Sequence, residues 1–282
     1  YDEIITPDEI AQILQKDADS PAKRALINEA LRGAGDKAAL LTAWKQPGAN
    51  ADALYAVSLS GTPPGDLERL RRFYADRYYD FLYRTVKEID PKHLYLGFWI
   101  TPNWWVNEED WRLIARHCDV IGYDHYGFEF ADSALQRLMA ESNKPVLCGE
   151  FSFPPDYGGK RGFGVYSTWA DDEAQAGQYY ADWVKDAATN PQCVGVCWFQ
   201  YRDEPLTGRG PGSGPNVVYG ENYAFGLADE CDRPKWPLIE RVRQENLAAN
   251  SQRLTAAAGS GAPASSRSAP RRPKTAVRRP SN

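Results

Sequence analysis

No run of apolar residues in this chain is long enough to span a bilayer, which argues against a membrane-spanning helix. No glycine-rich phosphate loop follows any expected strand, so a nucleotide-dependent redox enzyme on a doubly wound sheet ranks last among the readings. Metal chemistry is poorly served too. The three histidines and five cysteines show no ligand spacing. Cys118, Cys148, Cys193, Cys197 and Cys231 are odd in number and lie mostly in apolar runs, as expected of buried thiols and not of a disulfide framework or zinc site. No metal and no cofactor is expected. The chain starts in Tyr1-Asp2-Glu3-Ile4-Ile5, the opening expected of a fragment, so localisation is not readable from the N-terminus.

What is present is material for a large core. With 282 residues, 43% apolar and 12% aromatic, one large α/β domain is as plausible as two small ones. The net charge of −5 is uneven. Residues 251–282 carry seven basic side chains and no acidic ones, leaving about −12 on the remainder. Rich in Ala, Ser, Gly and Pro, residues 250–282 are expected to form a disordered basic tail behind a domain at 1–249. Nothing else suggests nucleic-acid binding.

The body alternates strands with helices. Strands are expected at the opening segment, at His93–Trp99, Asp119–Asp124, Lys144–Phe151 and Cys193–Phe199. Helices are expected at Leu67–Ile89, with Asp66 as cap, and at Glu108–His117, Asp132–Glu141, Asp171–Ala188 and Pro237–Ala249. Five strands separated by helices predict a parallel α/β architecture. If it is a (β/α)8 TIM barrel, only its C-terminal five strands are present.

Glu150 is the most informative residue. Lys144-Pro145-Val146-Leu147-Cys148-Gly149-Glu150-Phe151 reads as a buried strand ending in a carboxylate, a costly position for a charge without a task. In barrels of this kind catalytic groups sit at the C-terminal ends of strands, so Glu150 is a candidate nucleophile; a loop carboxylate paired with arginine is the bland reading. Retaining glycosidases need a second carboxyl group about 5–5.5 Å away. Glu3, in the opening apolar stretch, is the candidate, with a surface residue as the alternative. Asp124-His125-Tyr126 ends the preceding strand, and Tyr126 can donate a hydrogen bond that holds Glu150 ionised. His125 receives no catalytic role. Aromatics gather at the expected mouth: Trp99, Trp104, Trp105, Phe151, Phe153, Trp198, Phe199 and Tyr201. Sugar rings stack on such side chains, and Trp198 is the leading candidate. Gln200 through Arg209 and Gly220 through Tyr223 form a long, glycine-rich loop, a length typical of binding walls. Asp203 and Arg209 are expected to fix it.

Together these segments resemble the C-terminal half of the β-agarase family. The residues that carry the resemblance are Lys144 through Phe151, Trp198-Phe199-Gln200-Tyr201-Arg202-Asp203-Glu204-Pro205-Leu206-Thr207-Gly208-Arg209, and Gly220-Glu221-Asn222. Ser20 through Trp44 is also similar to the stretch after that family's acid/base strand. The resemblance implies a retaining glycoside hydrolase on a (β/α)8 barrel, cleaving β-galactosidic linkages in a galactan. It implies Glu150 as nucleophile and Glu3 as acid/base. Asp2, Asp124, Tyr126, Trp198, Gln200, Glu221 and Asn222 would contact an oligosaccharide or polysaccharide. Asp2 departs from the family's asparagine, and Asp124 stands where the family tends to carry asparagine. Action on a polymer would require a secreted or periplasmic protein, completed by an N-terminal half of the barrel. A β-galactosidase or other β-glycanase of the same clan would share both glutamates. A non-catalytic carbohydrate-binding protein is the reading from another class, favoured if Glu3 lies far from Glu150.

Overall fold

A computed structural model describes residues 5–46, 51–56, 61–101, 108–156, 169–208 and 222–259. Its N-terminal part is helical. Helix α1 (Pro7–Leu14) starts with Pro7 behind a reciprocal cap in which the Glu9 amide donates to Thr6 Oγ1 and the Thr6 amide donates to Glu9 Oε2. Ser20 caps α2 (Pro21–Ala34) and Asp36 caps α3 (Lys37–Ala43). With α4 (Pro64–Ile89) they bury Ile10, Leu14, Leu26, Ile27, Leu40, Trp44 and Leu70 in one apolar cluster. Asp66 does not cap α4, which begins at Pro64 without a side-chain cap. Its carboxylate instead accepts from the Trp44 indole N–H at 2.7 Å, tying α4 to the end of α3.

The second part alternates helix and strand: α5 (Glu108–Arg116), β1 (Ile121–Asp124), α6 (Ser133–Ser142), β2 (Val146–Phe151), α7 (Glu173–Thr189), β3 (Cys193–Trp198) and α8 (Trp236–Gly259). The strands form a parallel sheet in the order β1-β2-β3, each crossover carrying a helix. A second core lies between sheet and helices, built from Trp111, Tyr123, Phe130, Val146, Cys148, Phe151 and Trp183.

Three regular strands stand among the described residues, against five expected. The opening segment falls at residues 1–4, outside them. His93–Trp99 does run beside β1, with the Gly122 amide donating to Leu96 O at 3.1 Å and the Asp124 amide to Ile100 O at 2.7 Å. Among the described residues its continuation forms a single parallel bridge, Ile100 with Tyr123. Gly97 explains the irregularity, because its φ of 70° breaks the extended run. The last helix reaches Gly259, ten residues beyond its expected end, and 260–282 lie outside the described residues. Cys118, Cys148 and Cys193 are buried as expected, whereas Cys197 and Cys231 are exposed. Among the described residues no helix is long and apolar enough to cross a membrane.

Candidate active site

The end of β2 carries one residue too many for its neighbours. Cys148 pairs with Val196 and Phe151 with Trp198, so three steps along β2 face two along β3. On the other side Tyr123 pairs with Cys148 and Asp124 with Glu150, again one residue surplus in β2. Such a bulge re-aims the side chains that follow it. Phe151 faces α7, where its ring lies flat on Trp183 at 3.8 Å and 4°. By strand alternation its neighbour Glu150 turns away from that aromatic wall. The opposite face at Gly149 is occupied by the Trp99 indole. A Cβ on Gly149 would stand 2.2 Å from Trp99 Cε2, and one on Gly122 2.4 Å from Cε3 and Cζ3. The ring thus lies across β1 and β2 on two glycines, one of which precedes the half-buried Glu150.

The Tyr126 hydroxyl donates to Glu150 Oε2 at 2.7 Å. A hydroxyl aimed at a carboxylate orients it and favours its charged form. Asp124, only 2% exposed, stands opposite Glu150 in register. The His125 amide donates to Glu150 O at 2.9 Å, and burial lowers the pKa of its imidazole, with Asp132 pulling the other way. A buried, neutral His125 belongs to the wall.

That wall continues into the segment after β3. The Asp203 amide donates to Ala228 O at 2.9 Å and the Glu204 amide to Tyr223 O at 3.1 Å, so 203–204 are laced to 223–228. The Tyr223 amide also donates to Glu204 Oε2 at 2.8 Å. Asp203 and Lys235 form a buried ion pair at 2.7 Å, in keeping with the loop-fixing role expected of Asp203. Asn222 is buried and its Nδ2 donates to Leu206 O at 3.4 Å, joining the two arms. Gln200 is half-buried at the root of the segment. Trp198 is half-buried in the wall. It packs edge-on against Phe151 at 5.4 Å and Tyr180 at 5.5 Å, and its indole N–H donates to Phe225 O at 2.8 Å.

Glu3, Asp2 and Glu221 lie outside the described residues, as do Trp104, Trp105 and Arg209. Of the expected site residues, the structure joins Tyr126 to Glu150 by a hydrogen bond and sets Asp124 opposite it in register; Trp198 meets the same strand through Phe151, and Gln200 and Asn222 lie in the segments after β3. Sequence reasoning missed Phe225 and Lys235. Phe225 is buried, with its ring 6.3 Å from Tyr126 and 5.3 Å from Phe199. Its signal was slight, an aromatic two residues beyond the loop motif. Lys235 showed none, being a lone lysine between Pro234 and Trp236. Among the described residues no group of histidine, cysteine, aspartate and glutamate could hold a metal ion.

No protein-family model matches the chain. It is similar to two curated proteins of Vibrio sp. (strain JT0107). One is β-agarase B, 30% identical over 188 residues that make up 67% of this chain and 19% of that protein. The other is β-agarase A, 29% identical over 237 residues, 80% of this chain and 23% of that protein. Among solved structures it superposes on an exo-β-agarase with a TM-score of 0.70 at 28% identity, covering 86% of this chain and 32% of the other. An agarase, AgWH50C, gives a TM-score of 0.68 at 25% identity, covering 86% and 34%. The chain spans about a fifth of the length of the curated relatives it matches and about a third of those solved chains. The resemblance to β-agarases read from the sequence holds in both comparisons.

Proposed function

We propose that this chain carries the C-terminal half of a (β/α)8 retaining glycoside hydrolase that cleaves β-galactosidic linkages in a galactan such as agarose. Glu150 is its nucleophile. The observation that carries this reading is the 2.7 Å hydrogen bond from Tyr126 to a glutamate aimed by a bulge at the C-terminal end of a parallel strand. That combination supplies an oriented carboxylate that accepts a hydroxyl hydrogen bond where α/β barrels keep their chemistry. The similarity to β-agarases supports the substrate class.

The proposed reaction is a double displacement. Glu150 attacks the anomeric carbon as the glycosidic C–O bond breaks, and the leaving oxygen takes a proton from Glu3, giving a glycosyl ester on Glu150. Glu3, now a carboxylate, removes a proton from water, whose oxygen displaces Glu150 and releases the sugar with its original anomeric configuration. The pair must ionise unequally for this, Glu150 charged and Glu3 protonated at the start. Tyr126 serves the first requirement. Asp2, Asp124, Gln200, Glu221 and Asn222 are proposed to grip sugar hydroxyls, and Trp198 to border the sugar. The N-terminal barrel strands would come from the remainder of the protein.

Glu150→Gln in the full-length protein tests the proposal. Hydrolysis of an activated aryl β-galactoside should fall below detection while the fold, read by circular dichroism, is unchanged. Retained turnover removes Glu150 from the role, and a first product of inverted configuration, read by proton NMR, overturns double displacement.

A further inference from the structure

The two peptide groups that flank Phe225 are held at three polar atoms by side chains from elsewhere in the fold. Lys235 Nζ donates to Ala224 O at 3.0 Å, the Trp198 indole to Phe225 O at 2.8 Å, and the Gly226 amide to Asp203 Oδ1 at 2.7 Å. Lys235 and Asp203 are themselves paired at 2.7 Å, and their side chains are 2% and 0% exposed. A buried pair of this kind is weak evidence for net stability, since desolvating both charges offsets most of their attraction. Its geometry, however, is specific. The two charges bracket Phe225, one on the peptide before it and one on the peptide after.

Phe225 is 1% exposed and is the hub of an aromatic cluster: Tyr223 at 5.1 Å, Phe199 at 5.3 Å and Tyr126 at 6.3 Å. Tyr126 reaches the carboxylate. Its hydroxyl finds Glu150 only if its ring stands at the right tilt, and a side chain after the end of a strand has no ladder to hold it there. The 42° face of Phe225 supplies that support.

We propose that the Asp203–Lys235 pair is a positioning device for the nucleophile: by clamping Phe225 it sets the ring of Tyr126, and through Tyr126 the orientation of Glu150. Asp203, Lys235 and Phe225 are positioning residues that need not touch sugar. The inference rests on Glu150 being the nucleophile.

The test is a double-mutant cycle in the full-length protein on an activated aryl β-galactoside, with folding checked first by circular dichroism. Tyr126→Phe removes a hydrogen bond to a charged group and should lower kcat roughly ten- to hundredfold. Phe225→Leu, which keeps most of the volume, should lower kcat with KM within about twofold, because binding contacts are untouched. The double variant should lose no more than Tyr126→Phe alone, since both act through one hydrogen bond. Should Phe225→Leu fail to fold, Asp203→Asn, which keeps an acceptor for the Gly226 amide, replaces it in the same cycle. Additive losses, or a loss confined to KM, overturn the clamp. Activity in Glu150→Gln would sink the nucleophile assignment whatever Phe225 does; an inactive Glu150→Gln with additive losses sinks only the clamp.

Discussion

Replacing Gly149 with alanine adds one methyl group in front of the Trp99 indole, and the structure says how much room it lacks. The new Cβ would stand 2.2 Å from Cε2, 2.4 Å from Nε1 and 2.5 Å from Cζ2. Carbon atoms settle at about 3.5–4.0 Å, so the ring must retreat by roughly an ångström or more. It cannot swing freely, because its other edge lies as closely on Gly122. Gly149 is not among the glycines at positive φ, so the cost lies in space and not in backbone strain. Overpacking of this kind costs about 1–3 kcal/mol. All three nearest atoms belong to Trp99, which makes the effect conditional on that ring. In a Trp99→Ala background Gly149→Ala should cost within about 0.5 kcal/mol, or stabilise slightly by restricting the unfolded chain. Urea unfolding of the parent, both single variants and the double variant gives the coupling energy directly. An equal cost of Gly149→Ala in both backgrounds would refute the stacked-ring account. Activity should suffer more than stability, since the displaced ring lies on the residue that precedes Glu150.

Two further predictions concern stability. Burial pushes the Cys118 thiol from 9.0 up to about 11, with Lys144 pulling the other way. For a group whose folded pKa is raised, stability is intact below the unfolded value and is lost as pH rises through the folded one. A shift of this size is worth about 2–3 kcal/mol, so the parent should lose that much more than Cys118→Ala between about pH 9 and pH 11. Parallel denaturation profiles for the two proteins over that range would show the thiol is not the cause. Lys235→Met strands Asp203 in the interior and should cost about 3–5 kcal/mol, most of it recovered in Lys235→Met with Asp203→Asn. A double variant as unstable as Lys235→Met, measured by thermal unfolding, would assign the loss to packing.

Glu150 and Tyr126 were legible in the sequence because their signals are local: an apolar run that stops at a carboxylate, and an aromatic just past a strand end. The helices that separate the strands were readable for the same reason. Asp132 and Asp172, which cap α6 and α7, stand at the starts of their apolar patterns. Asp66 misled because an acidic residue at a helix start is ambiguous; the proline pair at 63–64 sets the start, and Trp44, distant in sequence, claims the carboxylate. The caps of α1 to α3 were present at Thr6, Ser20 and Asp36 but went unread, since that stretch was matched by resemblance and not by periodicity. Gly97 could not be seen as the end of a strand, because its left-handed conformation is decided by the packing around it. The Phe225 clamp was least legible of all. It joins Trp198, Asp203 and Lys235 through main-chain atoms, which leave no trace in residue type.

The surplus residue in β2 makes the site sensitive to changes of length more than to changes of letter. Losing Gly149 by a three-base deletion would leave Glu150, Tyr126 and every aromatic in place by name. Yet Cys148, Glu150 and Phe151 would then alternate without the surplus residue, and the carboxylate would lose both the bulge that aims it and the neighbouring glycine on which the Trp99 indole lies. A descendant of this gene could therefore keep every functional letter and still be silent, its defect visible only in the count between Cys148 and Phe151.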